Sequence, residues 1–303
     1  MSLEKIKDKF TNIEGLKVSY NQRMALHTSF KVGGPADILL VPKNEKAFLK
    51  ALEICKNEDV PVVIMGNGSN LIVRDKGIRG VVIKLSGGLN EIRVDGNTVF
   101  AQAGVMLSKL SKFAARNNLS GLEFAEGIPG TLGGAIAMNA GAYDSEMKNI
   151  IKKSSCVNMS GEIFEFDNAQ HEFQYRNSKI KKEKLIVIST EIVLMPQEND
   201  IIVKKMKEFS KLRNLKQPLD LPSAGSTFKR PEGYYAGKLI EDCGLKGCKI
   251  GGAEVSMKHS GFIVNKDSAT ADDVIKLIKL VQEKVLKDTG VQIETEVVVI
   301  GEE

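Results

Sequence analysis

Apolar residues repeat at three- and four-residue intervals in "NEKAFLKALEICKNE" (44–58), "LSKLSKFAARNNL" (107–119) and "ADDVIKLIKLVQEKVLKDTG" (271–290), which predicts amphipathic helices. The charged stretch "NDIIVKKMKEFSKLRNLK" (199–216) reads the same way, and "MSLEKIKDKFTNIEG" predicts an N-terminal helix. Between the helices lie short β-branched runs bounded by Pro or Gly. "ADILLVP" (36–42) and "VVIKL" (81–85) read as strands and "VPVVIMG" (60–66) as a buried one. "EIRVDG" and "NTVFAQAG" form a hairpin across Asp95-Gly96. Residues 150–196 return to strands in "SSCVNMS", "EIFEFD" and "KLIVISTEIVLMP", interrupted by the polar segment "EFQYRNS" (172–178). A last strand is expected at "TEVVVIG" (295–301). The texture changes after Pro196, and a domain border is expected there.

One stretch fits neither period. "GIPGTLGGAIAMNAGA" (127–142) holds five glycines and four alanines and no charged side chain. Its spacing is neither the G-x-G-x-x-G of a dinucleotide fold nor a P-loop. Taken alone it reads equally as a tight turn before a small-residue helix, or as backbone cleared for a ligand. A second loop, "GNGSN" (66–70), ends the strand 60–66 and offers clustered backbone N–H groups, a concave anion site suited to pyrophosphate. The longer stretch then supplies a second glycine wall and a helix N-terminus at Thr131. Together the two loops point to a dinucleotide held between two subdomains.

At 303 residues, two domains are the better prior. No apolar run approaches the ~20 residues of a membrane span, and no signal peptide is recognisable, so the expected location is the cytoplasm with no membrane partner. Cys55, Cys156, Cys243 and Cys248 have no zinc or redox spacing and read as reduced thiols. His27, His171 and His259 are far apart, so no metal site is expected. The net charge of +5 suits a small anionic ligand, and lysine clusters such as "KIKKEK" (179–184) read as solvated faces. With no tryptophan and 6% aromatics, stacking platforms for nucleic acid are scarce, and no nucleic-acid partner is expected.

Three polar segments add candidate chemistry. Arg176 in "YRNS" is either a solvated loop arginine or an anion clamp. Ser226 follows Ala-Gly, small residues that form a turn or give a ligand access to its hydroxyl. Glu294 and Glu296 alternate in "ETEVVVIG", on one face of the last strand, where carboxylates facing water are the plainer reading.

Set in order, "TSFKVGGPAD", "MGNGSNLIVRDKGIRGVVI", "AGV", "GLEFAEGIPGTLGGAIAMNAGAY", "FQYRNS", "AGSTFKRP", "AGKLIEDCGLKGCKIGGAEVSMKHSGFIVN" and "TEVVVIG" resemble the UDP-N-acetylenolpyruvoylglucosamine reductases, from about residue 20 to 301. The compact C-terminal region is similar to their shorter, type II form. The resemblance implies an α+β protein. An FAD-binding domain of the vanillyl-alcohol-oxidase (PCMH) type in two subdomains (29–196) would follow an N-terminal helix and lead-in (1–28), and a smaller α+β substrate domain (197–303) would come last. It implies FAD contacts at Gly66, Asn67, Gly68, Ser69, Asn70, Gly104, Gly127, Ile128, Pro129, Gly130, Gly133 and Gly134. It also implies catalytic roles for Arg176, Ser226 and Glu296, and substrate-side positions for Tyr175, Lys216 and His259. Glu254 and Met257 in "GGAEVSMKH" depart from the family pattern and put local substrate contacts in question.

The chemistry implied is reduction of an enolpyruvyl ether in peptidoglycan precursor synthesis, with NADPH as co-substrate of the FAD. Arg176 and Glu296 would stabilise the developing charge and Ser226 would supply a proton. A rival is an FAD oxidase or dehydrogenase acting on an alcohol or lactone. Such enzymes often tether flavin through His or Cys near the glycine loops, and neither loop contains one. A rival of another class is a nucleotide-binding protein without catalysis. Oligomeric state is open, and a monomer is compatible with the sequence.

Overall fold

The computed structural model describes residues 3–303. The chain packs as two compact units. The first comprises the segment ending at Tyr20 together with Ile38–Asn67 and Gly80–Leu212; the second comprises Asn21–Asp37, Gly68–Arg79 and Arg213–Glu303. These packing units divide the chain differently from the borders read at 28 and 196. The helix Asn199–Lys216 sets Ile202 and Met206 against Ala115, so most of it belongs with the first unit. Phe30, Val32 and Ile72, from early in the chain, are buried in the core of the second. A texture change in sequence marks where composition shifts, not which core a residue enters.

The first unit has two sheets. One is four-stranded, in the order Leu16–Arg23, Pro35–Pro42, Ile78–Lys84, Val62–Met65, with the last pair parallel. The other is five-stranded and antiparallel, in the order Ile163–Asp167, Ile151–Val157, Ile186–Val193, Thr98–Gln102, Ile92–Asp95. The 92–102 hairpin forms as expected, but Asp95 pairs with Thr98, so its two-residue turn is Gly96-Asn97 rather than Asp95-Gly96, with Gly96 at φ 55°. The helix Glu45–Asn57 buries Phe48, Ala51, Leu52 and Cys55, and the Asn44 side chain accepts from the Ala47 N–H at 2.8 Å. Leu16–Arg23 is a strand that sequence reading passed over as lead-in, since its polar residues hide the alternation.

In the second unit, Lys249–Ile250, Ala253–Val255 and Ile263–Asn265 form an antiparallel sheet under the helix Ala271–Thr289. Thr270 and Asp273 cap that helix reciprocally, and Gly290 closes it at φ 72°. The Asp75 carboxylate accepts from the first two N–H groups, Ala271 and Asp272, at 2.9 Å each. The expected last strand shortens to Val298–Ile300, paired in parallel with Leu71–Val73. Among the described residues no helix is long and apolar enough to cross a membrane, and no His, Cys, Asp or Glu cluster could hold a metal.

All four cysteines are free. Burial pushes the thiols of Cys55 and Cys156 up to about 12, so neither forms thiolate near neutrality. A thiol-alkylating reagent at pH 8 should therefore label the half-exposed Cys248 and, more slowly because burial and then Asp288 raise its pKa, Cys243, and spare the other two until the protein is denatured. Peptide mass spectrometry reads the pattern, and native labelling of Cys55 or Cys156 would contradict the packing.

Candidate functional site

The strand Val62–Met65 ends at Gly66, and there the two glycine loops meet. A Cβ on Gly66 would run into Oγ1 of Thr131, in the middle of the long glycine stretch. One residue on, Asn67 Nδ2 donates to the Pro129 carbonyl at 2.9 Å. Gly68 takes a left-handed φ of 67°, which turns the loop sharply. The N–H groups of Asn67, Gly68, Ser69 and Asn70 donate to no protein acceptor among the described residues. The carbonyls of this loop are used instead: Gly66 accepts from Ser86 Oγ, Gly68 from the Ser29 N–H and Asn70 from the Val298 N–H. A run of undonated N–H groups is what an anion requires.

The other loop is wired differently. Its helix begins at Leu132, with Thr131 at the preceding cap position. The first N–H groups of that helix are already spent, Leu132 on Val105 O at 2.8 Å and Gly133 on Ala103 O at 2.9 Å. The helix N-terminus expected to bind an anion instead sews the loop to residues 103–105. Gly133 is glycine because a Cβ would lie 2.9 Å from that of Ala103, and Gly104 because one would strike the Leu85 and Leu89 carbonyls. Ile128 packs against the core, and the Gly130 carbonyl accepts from the Leu107 N–H. Gly127 sits half-exposed at the mouth of the turn.

Between the loops lies a cavity of ≈ 350 Å³. Gly66, Thr131, Gly133 and Gly134 form one wall and Val62, Ile64 and Leu185–Val187 an apolar one. The strand 62–65, expected to be buried, is half-exposed because its side chains line this space. Thr131 Oγ1 is buried in the glycine wall with no hydrogen-bond partner. An orphaned hydroxyl of this kind costs about 1–3 kcal/mol. Lys181 and Lys184 also border the cavity while staying exposed, in keeping with the solvated face their cluster suggests. The apolar wall, the glycine wall and the two lysines of this cavity fit a dinucleotide with an aromatic ring.

Arg176 lies at the tip of a turn closed by Gln174 and Asn177, each donating its N–H to the other's carbonyl. Its φ of 53° is left-handed, unusual for a bulky residue and a common mark of functional strain. The guanidinium is half-buried, 3.5 Å from the Gly141 carbonyl and 5.0 Å over the ring of the exposed Tyr175. Ser178 Oγ donates to Ala137 O, and His171 stacks on Phe173 at 4.8 Å. His171 is itself fixed by Asp167 O and Ser154 Oγ, and burial holds its pKa below the usual value. The arginine turn is thus fastened to the end of the same small-residue helix that begins in the glycine loop.

Ser226, Glu296 and His259 belong to the second unit. Gly225 takes φ 78° and faces open space, so the turn before Ser226 needs glycine for its backbone. Thr227 receives the Glu296 N–H on its carbonyl and donates its own N–H to Gly261 O, each at 2.8 Å. Asn70 Nδ2 donates to Glu296 O at 3.1 Å. Ser226 and Glu296 therefore sit on neighbouring backbone segments, both half-buried, and the Ser226 hydroxyl has no protein partner among the described residues. Glu294 separates from its neighbour: it is exposed and paired with Lys229 at 2.7 Å. His259 Nδ1 accepts from the Gly261 N–H at 3.1 Å, which leaves the proton of the neutral ring on Nε2, and burial lowers its pKa. Lys216 is exposed at the end of its helix. The unfamiliar Glu254 is buried between Lys249 and Lys266, at 3.3 and 3.1 Å, so it serves the sheet; Met257 is exposed and covers Gly247.

Residues 36–167 match the family described as FAD binding domain, and residues 217–300 match the C-terminal domain of UDP-N-acetylenolpyruvoylglucosamine reductase. The chain is 47% identical over 287 residues to the UDP-N-acetylenolpyruvoylglucosamine reductase of Syntrophomonas wolfei, covering 95% of this chain and 96% of that protein. It is 48% identical over 303 residues to the enzyme of the same name from Alkaliphilus metalliredigens, with 100% of both chains covered. The crystal structure of the Thermus caldophilus reductase superposes with a TM-score of 0.80 at 33% identity, covering 94% of this chain and 98% of that one.

Thr131→Val tests the cavity without adding bulk. The change removes a buried, unsatisfied hydroxyl, so the cofactor-free protein should melt at the same temperature or higher. FAD, titrated by flavin fluorescence, should bind about 2–10-fold more weakly, the size of one lost neutral hydrogen bond. Unchanged FAD affinity would place the cofactor elsewhere.

Proposed function

The chain belongs to the UDP-N-acetylenolpyruvoylglucosamine reductase family, and from that premise we propose how its own residues carry the reaction. It is an FAD-containing oxidoreductase that reduces the enolpyruvyl group of UDP-N-acetylglucosamine enolpyruvate in peptidoglycan precursor synthesis. The observation that supports the site assignment is the backbone bond from the Glu296 N–H to the Thr227 carbonyl, which brings the segments carrying Ser226 and Glu296 side by side.

The 67–70 N–H groups would suit the FAD pyrophosphate, and the cavity walled by Gly66, Thr131, Gly133 and Gly134 would suit another part of the cofactor. When bound, FAD would supply hydride chemistry, reduced by NADPH and reducing the terminal carbon of the substrate's double bond. The electron pair of that bond moves to the adjacent carbon and into its carboxylate as an enolate. Arg176 holds the doubled negative charge by charge-assisted hydrogen bonds, and Glu296 orients the reacting group beside Ser226. Ser226 transfers its hydroxyl proton to the carbon, completing the saturated product, and is reprotonated from solvent. A hydroxyl is a weak acid, but the enolate is a strong base, so placement decides the rate. Lys216, Tyr175 and His259 lie on the substrate side, with Lys216 suited to a phosphate of the UDP-sugar or of NADPH. Both partners are small soluble molecules, so the enzyme works in the cytoplasm, without nucleic acid or membrane. The oxidase reading loses its main support, because the cavity walls contain neither His nor Cys to tether a flavin.

Ser226→Ala should keep FAD and its reduction by NADPH, while reoxidation by substrate slows ~10²–10⁴-fold, the usual range of general acid catalysis. Stopped-flow absorbance at the flavin band separates the two steps, and a slow NADPH step with a normal substrate step would reassign the serine. Arg176→Lys should lose most turnover although the charge is kept, since an ammonium lacks the planar two-pronged grip. Near-normal turnover would make Arg176 a structural residue.

A further inference from the structure

Asn139 is the lone side chain among the small residues 133–142 that could bond to a distant segment, and the structure uses both of its ends. It is 1% exposed and has a left-handed φ of 42°. Nδ2 donates to the Gln174 carbonyl at 3.2 Å, and Oδ1 accepts from the Lys148 N–H at 3.0 Å. The Gln174 carbonyl is the one that closes the arginine turn by accepting from Asn177.

We infer that Asn139 is a positioning residue for Arg176: its amide pins the base of the strained turn to the end of the glycine-loop helix, and so sets where the guanidinium lies. This inference rests on the role given to Arg176 above. A turn held at left-handed φ by a non-glycine residue relaxes unless its surroundings hold it. The Ser178 bond to Ala137 fixes the chain after the tip and the His171–Phe173 stack fixes it before. The Asn139 amide acts on the closing carbonyl itself. A displacement of about 1 Å in such a group can cost ~10²-fold in rate without touching substrate affinity.

Asn139→Asp isolates the Gln174 bond. The variant keeps the acceptor for the Lys148 N–H, tolerates left-handed φ as asparagine does, and replaces the donor by a carboxylate oxygen facing a carbonyl. At pH 8 the expected result is unchanged FAD affinity and NADPH reduction, unchanged substrate KM, and flavin reoxidation by substrate slowed by up to ~10²-fold. As pH falls and the new carboxyl takes a proton, it becomes a donor to Gln174, and the reoxidation rate should recover relative to wild type at the same pH. Asn139→Gly, which loses both bonds but suits the backbone, should be slow in reoxidation at every pH, and it alone decides if the Asp variant does not fold. Equal slowing of both half-reactions, wild-type reoxidation at pH 8, or no acid recovery in the Asp variant would each overturn the inference. If Arg176→Lys proves active, the role of Arg176 itself fails; if that variant is impaired while Asn139→Asp behaves as wild type, only the positioning fails.

Discussion

Residue 66 cannot carry a side chain while Thr131 stands where it does. That exclusion brings two loops from distant parts of the sequence within backbone reach, and Asn67 secures it by bonding to Pro129. Much else follows from it. The strand 62–65 gives up part of its burial to become a cavity wall, and the Thr131 hydroxyl is stranded without a partner. The helix start at Leu132 spends its first N–H groups on residues 103–105, while those of 67–70 are left undonated among the described residues. The two loops divide the labour: one offers donors, and the other offers space and one hydroxyl.

Most of the helices and strands were legible, because their apolar periodicity reports directly which face is buried. The strand at 16–23 was not, since five of its eight residues are polar or charged and its alternation is weak. Both glycine loops could be found by composition, but not the different use each makes of its N–H groups, which depends on backbone partners far away in sequence. Glycine itself is ambiguous in this way. Gly104 and Gly133 are cleared for packing, Gly225 for a left-handed turn and Gly66 for the approach of Thr131, and the letter is the same in each case. Lys181 and Lys184 are exposed, as their charged run suggests, and sequence alone does not show that they also border a cavity. Arg176, Ser226 and Glu296 were singled out by segment and by resemblance, whereas Asn139 left only a faint signal, a polar residue where everything around it is small.

The departure at Glu254 shows how a substitution near a site can be neutral to its chemistry. A buried carboxylate is costly unless paired, and here Lys249 and Lys266 hold its two oxygens separately while the backbone of the same residue stays in the sheet. The charge is answered within the 249–267 segment, so it makes no demand on the Ser226 turn. Removing the carboxylate would disturb that sheet first.

Strain is the last link between the fold and the reaction. Asn139, Tyr143, Asp144 and Arg176 are all non-glycine residues at left-handed φ, and all stand at the end of the glycine stretch or on the turn fastened to it. Tyr143 and Asp144 sit side by side at the tip of a two-residue hairpin, where Asn-Gly is the usual choice. Such a pair persists only if its surroundings hold it. They do: the Tyr143 ring stacks on Phe209 with centroids 4.1 Å apart and planes within 4°, and its hydroxyl donates to the Phe209 carbonyl at 2.8 Å. The strand that this hairpin begins supplies the Gly141 carbonyl facing Arg176. An aromatic anchor on the 199–216 helix thus keeps rigid the carbonyl against which the arginine rests. A flexible glycine in place of Tyr143 would satisfy the backbone better and hold the guanidinium worse, and for the charge-stabilising role proposed for Arg176 the second property matters more than the first.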